Sequence, residues 1–461
     1  MNKNACLDDT IIRELSAYIS RGGEAELSPE VIQKTKYHIL DALAAMVSGS
    51  KLKPGQLAMK YVKSQKGAKE AVVAGSPIVT SAINAAFANG VMVHADETDD
   101  SHERSRTHPG CAIVPAALSV SERSGADGIH FLKGVVVGYD VGCRMPQALG
   151  VDRLRSGHRS THAIGGNFGA AASAAALLGL TEHPVRHVLS YTAQQASGVM
   201  YWVRDEEHVE KAFVFGGMPA RNGVTAAILI QAGFTGVHDP FSGEHNFFEA
   251  FSSDPSPERL IEGLGSHYEI MATSLKKYSV GSPIQAPLDG LLLLIQKHGL
   301  RGEDVQSMTV RIAEGDVRTV NDRDMPDICL QHLLAVALLD GDLSFEATHC
   351  YERMKDPSVL EIRKRITLLG DRELSNARIK RQGIIEVTTK RGTHLKEHVI
   401  SVRGTPENPM TTEEVEKKCG ELLSPVLGKN RTRKLIDAIW NLEQVRDVRE
   451  LRPLLSVSSI G

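Results

Sequence analysis

The chain has 461 residues, of which 42% are hydrophobic and 24% are charged, and its formal net charge is −3 with histidine counted as neutral. This length exceeds the roughly 250–300 residues that one hydrophobic core usually supports, so we expect two domains. The small net charge excludes a global field for nucleic acid or an acidic membrane. Any bound anion must therefore be held by local basic side chains.

The cysteines and the N-terminus indicate a compartment. The six cysteines are scattered and form no CxxC pair: Cys6, Cys111, Cys143, Cys329, Cys350 and Cys419. This spacing predicts neither a disulfide framework nor a structural zinc site. The N-terminus lacks the apolar segment of a signal peptide, and no apolar run reaches the roughly 18–20 residues that span a membrane. We therefore expect a cytoplasmic protein.

The first part of the chain is predicted to be helical. Ser28-Pro29-Glu30 supplies a hydroxyl cap, a proline and an acidic residue for the start of a helix that Gly49 would end. Further helices, rich in small residues, are predicted at 81–93, 112–122, 129–144, 168–178, 184–197 and 219–232. The glycines at 165–169 follow no strand and have the wrong spacing for a dinucleotide-binding loop.

The pattern changes after about residue 270. Residues 306–312 and 383–389 alternate with period two, and 397–402 do so less strictly, which predicts strands. Helical stretches at 330–339 and 359–366 lie between them. Later helices are predicted from Thr411 and at 436–442. The predicted fold is mainly α, with a large all-helical domain (1–272, onto which 406–461 packs back) and a smaller α/β domain (273–405).

The densest polar stretch is residues 94–109, which hold three histidines, two arginines and five carboxylates between two apolar helices. One interpretation is a solvated turn in which Asp and Ser side chains cap the next helix. The other is a functional site, because loops held by rigid elements often carry function and histidine titrates near neutral pH. The three histidines favour the second interpretation.

Four other clusters are candidates, each with an ordinary structural alternative. His158 and His162 have the spacing of a metal-binding pair on a helix, but their segment is loop-like and lacks a carboxylate partner, so His158 is better interpreted as a surface residue. Lys211 precedes a Gly/Pro-rich turn and can reach an anion, or it is a solvated lysine at a helix end.

The other two clusters lie in the second predicted domain. Lys276-Lys277-Tyr278 lies at the junction of the two predicted domains, where ligand sites are common, or it is a basic linker. Residues 322–332 crowd polar groups at a helix start, where an anion can bind, or they form an Asx-type cap with His332 satisfied at the surface.

The chemistry available is that of His, Lys, Arg, Ser and carboxylate groups. The chain contains no P-loop, no GxSxG motif and no kinase motif set. Cations can hold the carboxylates of a small acid while a histidine moves the proton on the neighbouring carbon. Dehydration, epimerisation and decarboxylation of polycarboxylates all depend on that chemistry.

Several motifs in order resemble the MmgE/PrpD family, which includes 2-methylcitrate dehydratases, cis-aconitate decarboxylases and iminodisuccinate epimerases. They are Lys36-Tyr-His-Ile-Leu-Asp-Ala-Leu, the polar loop, Thr161-His162, Pro219-Ala-Arg-Asn-Gly, Gln231-Ala-Gly-Phe-Thr-Gly, Lys276-Lys-Tyr and Asp322-Arg-Asp with Cys329-Leu-Gln-His332. The resemblance implies a helical domain with an α/β lid domain, a homodimer, a site between the domains, and no metal or organic cofactor.

The resemblance also implies site residues. The family's loop acid, threonine and catalytic histidine correspond to Glu97, Ser101 and His108. Its second histidine corresponds to His162. Its two lysines correspond to Lys211 and Lys276, with Lys277 as an adjacent alternative and Tyr278 beside them. The spacing from Lys211 to Arg221-Asn-Gly is one residue longer than usual. Relatives usually have Tyr at His332 and often have His at Gln285. Arg104 and Arg106 are expected to be carboxylate clamps or lid charges.

The leading hypothesis is a cofactor-free lyase acting on a small di- or tricarboxylate in the manner of 2-methylcitrate dehydratase. His108 would be the general base or acid, His162 would handle the second proton, and Lys211, Lys276 and Arg106 would bind carboxylates. The alternatives are an epimerase or a decarboxylase on the same fold. A further alternative is a dicarboxylate-binding protein without catalysis.

Overall fold

A computed structural model of the protein describes residues 9–22, 24 and 26–457. Cys6 and the start of the chain, on which the expectation about a signal peptide rests, lie outside these residues. The described chain divides into two compact units. The first comprises the residues up to Ala95, Asp99–Thr273 and the residues from Thr411, and the second comprises Asp96–Thr98 and Ser274–Met410.

The first unit is almost entirely helical. Its helices are Thr10–Arg21, Pro29–Gly49, Lys53–Gln65, Ala82–Val93, Gly110–Ser124, Gly128–Leu149, Val151–Ser156, Thr161–Leu177, Glu182–Gln194, Val209–Ala212, Met218–Gln231, Phe247–Phe251, Thr412–Leu427, Lys429–Trp440 and Arg452–Leu455. Short strands lie at Ala71–Val72, Val79–Thr80 and Ser101–His102, and one at Thr273–Ser274 lies where the units meet in sequence.

The caps of two helices follow the prediction. The Ser28 hydroxyl accepts a hydrogen bond from the backbone N–H of Val31 at the start of Pro29–Gly49. Thr411 and Glu414 form a reciprocal capping box at the start of Thr412–Leu427. The sequence therefore marks these helix starts through hydrogen bonds that the side chains themselves make.

Small residues form the core of the first unit. Helices Gly128–Leu149 and Thr161–Leu177 approach so closely that a Cβ on Gly165 would overlap the carbonyl oxygen of Gly142. The alanines at 170–172, 174 and 175 are fully buried in the same core cluster. The glycines at 165–169 thus belong to a helix that begins seven residues before the predicted one, and they serve helix packing.

One helical run in the described chain is long and apolar enough to cross a membrane by length and composition, Val209–Gln231. In its most apolar window, 67% of the residues are buried inside the protein. Burial of this kind is typical of a core helix, so the run is weak evidence for a membrane segment.

The second unit contains a four-stranded mixed sheet. The strand order is Ile366–Asp371, Val305–Ala313, Gly383–Thr389, His394–Val399. The first pair is parallel, with Met308 opposite Ile366, and the other pairs are antiparallel. The helices of this unit are Gln285–His298, Glu314–Val320, Leu330–Asp340, Phe345–Thr348, Pro357–Arg363 and Arg372–Asn376. The predicted class, mainly helical with a smaller α/β part, is confirmed.

Two strands of the second unit differ from the prediction. The helix predicted at 359–366 ends at Arg363, and Ile366–Asp371 is a strand. Its parallel partner lies about sixty residues earlier, so the local pattern does not reveal the pairing. The last strand is His394–Val399, three residues before the predicted one, because the antiparallel register with Gly383–Thr389 fixes it.

Candidate active site

The polar loop is buried and tightly bonded. The carboxylate residues at 96, 97, 99 and 100 are each at most 2% exposed. Backbone hydrogen bonds between His102 and Thr107 close a small hairpin, and His102 Nε2 lies 2.9 Å from a Glu269 oxygen. Glu97 and Arg106 adopt positive φ angles of 55° and 48°. Strained backbone of this kind persists where the surroundings fix it, often at functional sites, which disfavours a solvated turn.

The Nδ1 atom of His108 has a well-defined hydrogen-bond partner. Its Nδ1 lies 2.6 Å from the backbone carbonyl oxygen of Asp100. A carbonyl oxygen can only accept, so Nδ1 carries the hydrogen of the neutral ring and Nε2 carries the lone pair. The Asp99 carboxylate lies 3.6 Å from the same Nδ1, where it stabilises an added positive charge on the ring. The side chain is 11% exposed. In the neutral ring, Nε2 of His108 is thus the nitrogen that can accept a proton.

The Asp100 side chain anchors the polar loop through three hydrogen bonds. Its carboxylate accepts hydrogen bonds from His38 Nδ1 (2.7 Å), the Tyr139 hydroxyl (2.6 Å) and the Gly110 N–H (2.9 Å). Burial alone would raise the pKa of Asp100, but these hydrogen bonds, chiefly that from His38, hold it below its usual value. Burial lowers the pKa of His38, so a neutral imidazole faces a charged carboxylate. The carbonyl group that orients His108 is therefore anchored.

Three histidines of the first unit contact one phenyl ring, and a fourth contacts one of those three. Phe215 stacks on His162 with ring centroids 3.7 Å apart and on His94 at 4.3 Å. His108 stacks beside His162 at 5.1 Å, and His208 meets His94 edge-on at 5.4 Å. The Asp99 carboxylate lies within hydrogen-bond distance of His94 Nδ1. We call the four histidines and Phe215 the imidazole cluster.

Lys211 lies at this cluster. Its Nζ is 5.5 Å from the centre of the Phe215 ring and 5.9 Å from that of Trp202, distances at which a cation is attracted to an aromatic face. The Asp205 carboxylate accepts from its backbone N–H, and the preceding His208 has a φ of 58°. Three predicted site residues, His108, His162 and Lys211, are therefore brought together within the first unit.

In the second unit, Lys276 pairs with Glu97. The Lys276 ammonium donates to the Glu97 carbonyl oxygen at 2.8 Å and to its carboxylate at 2.9 Å, and both side chains are 2% exposed. Thr98 shares a hydrogen bond with Ser279 at 2.5 Å. The Asp96 carbonyl accepts from His349 Nε2 at 2.9 Å. The three loop residues that belong to this unit are thus held by separate bonds.

The neighbouring predicted residues form their own network. Asp289 accepts from the Lys277 ammonium at 2.9 Å and from the Tyr278 hydroxyl at 2.7 Å. Burial, and next the Asp289 charge, raise the pKa of Tyr278 far above its usual value. The Gln285 amide donates to the carbonyl groups of Tyr278 and Val280 and accepts from the Tyr278 N–H. Gln285 therefore fixes the backbone after the lysine pair.

His332 lies in the first turn of Leu330–Asp340 and is fully buried. Neither ring nitrogen has a hydrogen-bond partner in the part of the chain that the structure describes. Burial, and then the nearby Arg363 and Arg353 charges, lower the pKa of His332 to about 4. It is therefore a neutral imidazole at physiological pH, and it is buried rather than satisfied at the surface.

The other predicted loop residues are less constrained. Ser101 is half-buried in a two-residue strand. Arg106 accepts from the Thr161 hydroxyl through its backbone carbonyl at 2.6 Å, and Arg104 is exposed. Within the described residues, neither guanidinium forms an ion pair. The expected clamp role of both arginines therefore stays a prediction.

One group of possible metal ligands is engaged in hydrogen bonds. Donor atoms of His94, Asp99 and Cys111 lie within 4.8 Å of one another. The Cys111 thiol, however, points at the carbonyl oxygens of His108 (2.9 Å) and Phe215 (3.3 Å), which requires a protonated sulfur. A metal prefers the thiolate, so this trio fits a hydrogen-bonded network better. His158 is exposed and precedes the helix that carries His162, as expected for a surface residue.

The sequence did not single out four residues of this region: His94, His208, Trp202 and Phe215. His94 is the first residue of the polar loop, so the unusual composition of that loop was the signal that could have identified it. Phe215 lies in a π-helical turn, Phe213–Gly217, that interrupts the α-helical period. Such turns occur frequently at functional sites but have no simple sequence pattern.

Comparison with known proteins covers most of the chain. Residues 13–260 match the MmgE/PrpD N-terminal domain, and residues 278–444 match the MmgE/PrpD C-terminal domain. A cis-aconitate decarboxylase of Aspergillus terreus is 22% identical over 479 aligned positions, covering 97% of this chain and 96% of the relative. A cis-aconitate decarboxylase of Homo sapiens is 25% identical, covering 93% of this chain and 91% of the relative. A cis-aconitate decarboxylase-like protein of Aspergillus oryzae is 23% identical, covering 97% and 98%.

Proposed function

This chain belongs to the MmgE/PrpD family, and from that premise we propose that it is a lyase that moves a proton next to a carboxylate of a small di- or tricarboxylic acid. The observation that carries the proposal is the hydrogen bond from His108 Nδ1 to the Asp100 carbonyl. It leaves Nε2 as the basic nitrogen, and the Asp99 carboxylate stabilises the imidazolium that forms.

The first candidate reaction is dehydration, as in 2-methylcitrate dehydratase. His108 Nε2 takes the proton from the carbon beside a carboxylate, the C–O bond to the neighbouring hydroxyl breaks, and the electron pair of the C–H bond forms the new double bond. His162 gives the departing hydroxyl its proton, so water leaves. Lys211 and Arg106 are proposed to bind carboxylates, and Glu97, Ser101 and Lys276 are proposed as further members of the site.

Decarboxylation is the second candidate, and the names of the relatives favour it. Here the C–C bond to one carboxylate breaks, carbon dioxide leaves, and a protonated histidine returns a proton to the carbon. Dehydration needs one imidazole that accepts a proton and one that donates, whereas decarboxylation as written needs only the donor. The stacked pair of His108 and His162, with centroids 5.1 Å apart, supports either.

A turnover screen in heavy water tests these proposals. The protein is incubated with citrate-like, aconitate-like and amino-dicarboxylate compounds and followed by NMR. New alkene carbon signals without carbon dioxide indicate dehydration, and carbon dioxide release indicates decarboxylation. Deuterium uptake without either product indicates an epimerase. Tight binding without turnover on the whole panel would contradict the lyase and favour a binding protein.

We also propose a homodimer in the cytoplasm. The dimer is an expectation from the family resemblance, and Leu57 and Tyr61 expose 44% and 48% of their surface on one helix of the first unit. The proposed compartment rests on the scattered cysteines, and the five described ones are free thiols. Light scattering during size-exclusion chromatography tests the dimer, and a mass near 50 kDa, that of one chain, would contradict it.

A further inference from the structure

A π-helical turn lies beside the proposed catalytic histidines. Phe213–Gly217 interrupts the helical run Val209–Gln231. A π turn is closed by a backbone bond between residues five apart, one more than in an α turn. Gly216 is pressed against the helix that ends before His94, since a Cβ on it would overlap the carbonyl oxygen of Gly90. The π turn therefore has a fixed position relative to His94.

Phe215 is wedged between two imidazoles. Its ring is nearly parallel to that of His162, at 14° with centroids 3.7 Å apart, and to that of His94, at 24° and 4.3 Å. Two rings this close and this parallel to a third cannot share one face of it. His162 and His94 therefore cover opposite faces of Phe215, which is itself 2% exposed.

The stack extends to the proposed base. His108 lies almost parallel to His162, at 22° with centroids 5.1 Å apart. Trp202 stands nearly perpendicular to both Phe215 and His162 and closes one edge. If the His162 ring rotated about its Cβ–Cγ bond, it would thus collide with Phe215 or Trp202. An aliphatic side chain of similar volume would fill the space without offering two flat faces.

We infer that Phe215 is a positioning residue, which fixes the ring planes of His94 and His162 and, through His162, the direction in which His108 faces. The inference rests on the proposed function, in which His162 and His108 transfer the protons. Proton transfer requires the donor nitrogen to point at the reacting atom, and small misplacements cost large factors in rate. Phe215 acts through the imidazoles and does not itself touch the reacting atoms.

The test compares two phenylalanines of the same π turn. Phe215→Leu keeps an apolar side chain but removes the flat ring, and we expect kcat to fall roughly 10- to 100-fold with KM within about twofold. Phe213→Leu is the matched control. Phe213 is half-buried, and its ring contact in the described chain is with Phe87. We expect Phe213→Leu to keep the wild-type kcat.

A crystal structure of Phe215→Leu gives a second reading that does not depend on activity. Turned ring planes of His94 and His162 in the variant support the inference, and unchanged planes overturn it. Equal losses of kcat in both variants, in step with their thermal midpoints, would also overturn it, since they would indicate a packing role only. If the wild type turns over none of the acids while the planes still turn, the proposed function fails and the positioning role stands.

Discussion

In the first unit, the rings of three histidines (His94, His108 and His162) stack on Phe215 or on one another. In the second unit, by contrast, Lys276 and Lys277 each form an ion pair with a carboxylate. Stacking covers the faces of an imidazole and leaves its nitrogen edges for proton transfer. Pairing cancels the charge of an ammonium group. If the proposed function holds, substitutions of the first unit's histidines should lower kcat more than substitutions of these two lysines.

The pairing also limits what Lys276 can do. A lysine that is already bonded to a buried carboxylate brings no net positive charge to an incoming acid. Lys276 can attract a substrate carboxylate only if Glu97 takes up a proton or moves away. The pair can instead hold the loop residues 96–98 in the second unit. Variants of each group separate these roles.

The largest expected effect is that of His108→Ala. Removing a positioned general base lowers kcat by about 10²- to 10⁴-fold. The control is His158→Ala, because His158 is exposed and lies in the same unit. Turnover of the true substrate is measured by NMR for both variants. Activity of His108→Ala near the wild-type level would remove the histidine from the mechanism and with it the contrast between the two units.

The second prediction concerns the buried pair. Lys276→Met leaves the Glu97 carboxylate buried without its ammonium partner, which should lower the free energy of unfolding by about 3–5 kcal/mol. The double variant Glu97→Gln with Lys276→Met should recover most of that loss, because no charge is then left alone. Urea unfolding of the single and double variants measures both values.

Lys277→Met is the matched control for that pair. The Lys277 side chain is 38% exposed and its partner Asp289 is 13% exposed, so the loss should stay within about 1 kcal/mol. Measuring KM for Lys276→Met and Lys277→Met also decides which lysine binds substrate. The substitution of the substrate-binding lysine should raise KM, and the other should not. Equal losses in the free energy of unfolding at both lysines would show that burial does not make the Glu97–Lys276 pair more important for stability than the exposed pair.

Local rules in the sequence predicted much of this molecule. The Ser28 and Thr411 caps and the alternation at 306–312 are set by neighbours along the chain, and the structure has those elements. The strand Ile366–Asp371 escaped prediction because its partner is distant in sequence. Local periodicity decides an element only where distant pairing does not compete with it.

The site was predicted in part for the same reason. The polar loop was visible because its composition is unusual, and it holds His108. The role of Phe215 could not be predicted, because a phenylalanine in an apolar run is ordinarily a core residue. The π turn also has no characteristic spacing of apolar residues in the sequence. The roles of the loop residues came from the family resemblance, and the hydrogen bond that fixes the His108 ring came only from the coordinates.

The smallest expected effect is the pH dependence contributed by His332. Its folded pKa is about 4, whereas an unfolded histidine titrates near 6.5. Between these values the unfolded chain binds a proton that the folded chain does not. Stability from this group is therefore full above about pH 6.5 and is lost as the pH falls through 4, by at most about 3.4 kcal/mol.

His332→Gln tests that loss, because glutamine cannot be protonated in this range. Urea unfolding between pH 4 and 7 should show a flatter curve for His332→Gln than for the wild type, whereas His298→Gln, at an exposed position of the same unit, should follow the wild type. Identical curves for all three proteins would mean that the buried ring does take up a proton. His332 would then not be held neutral by its burial in the second unit.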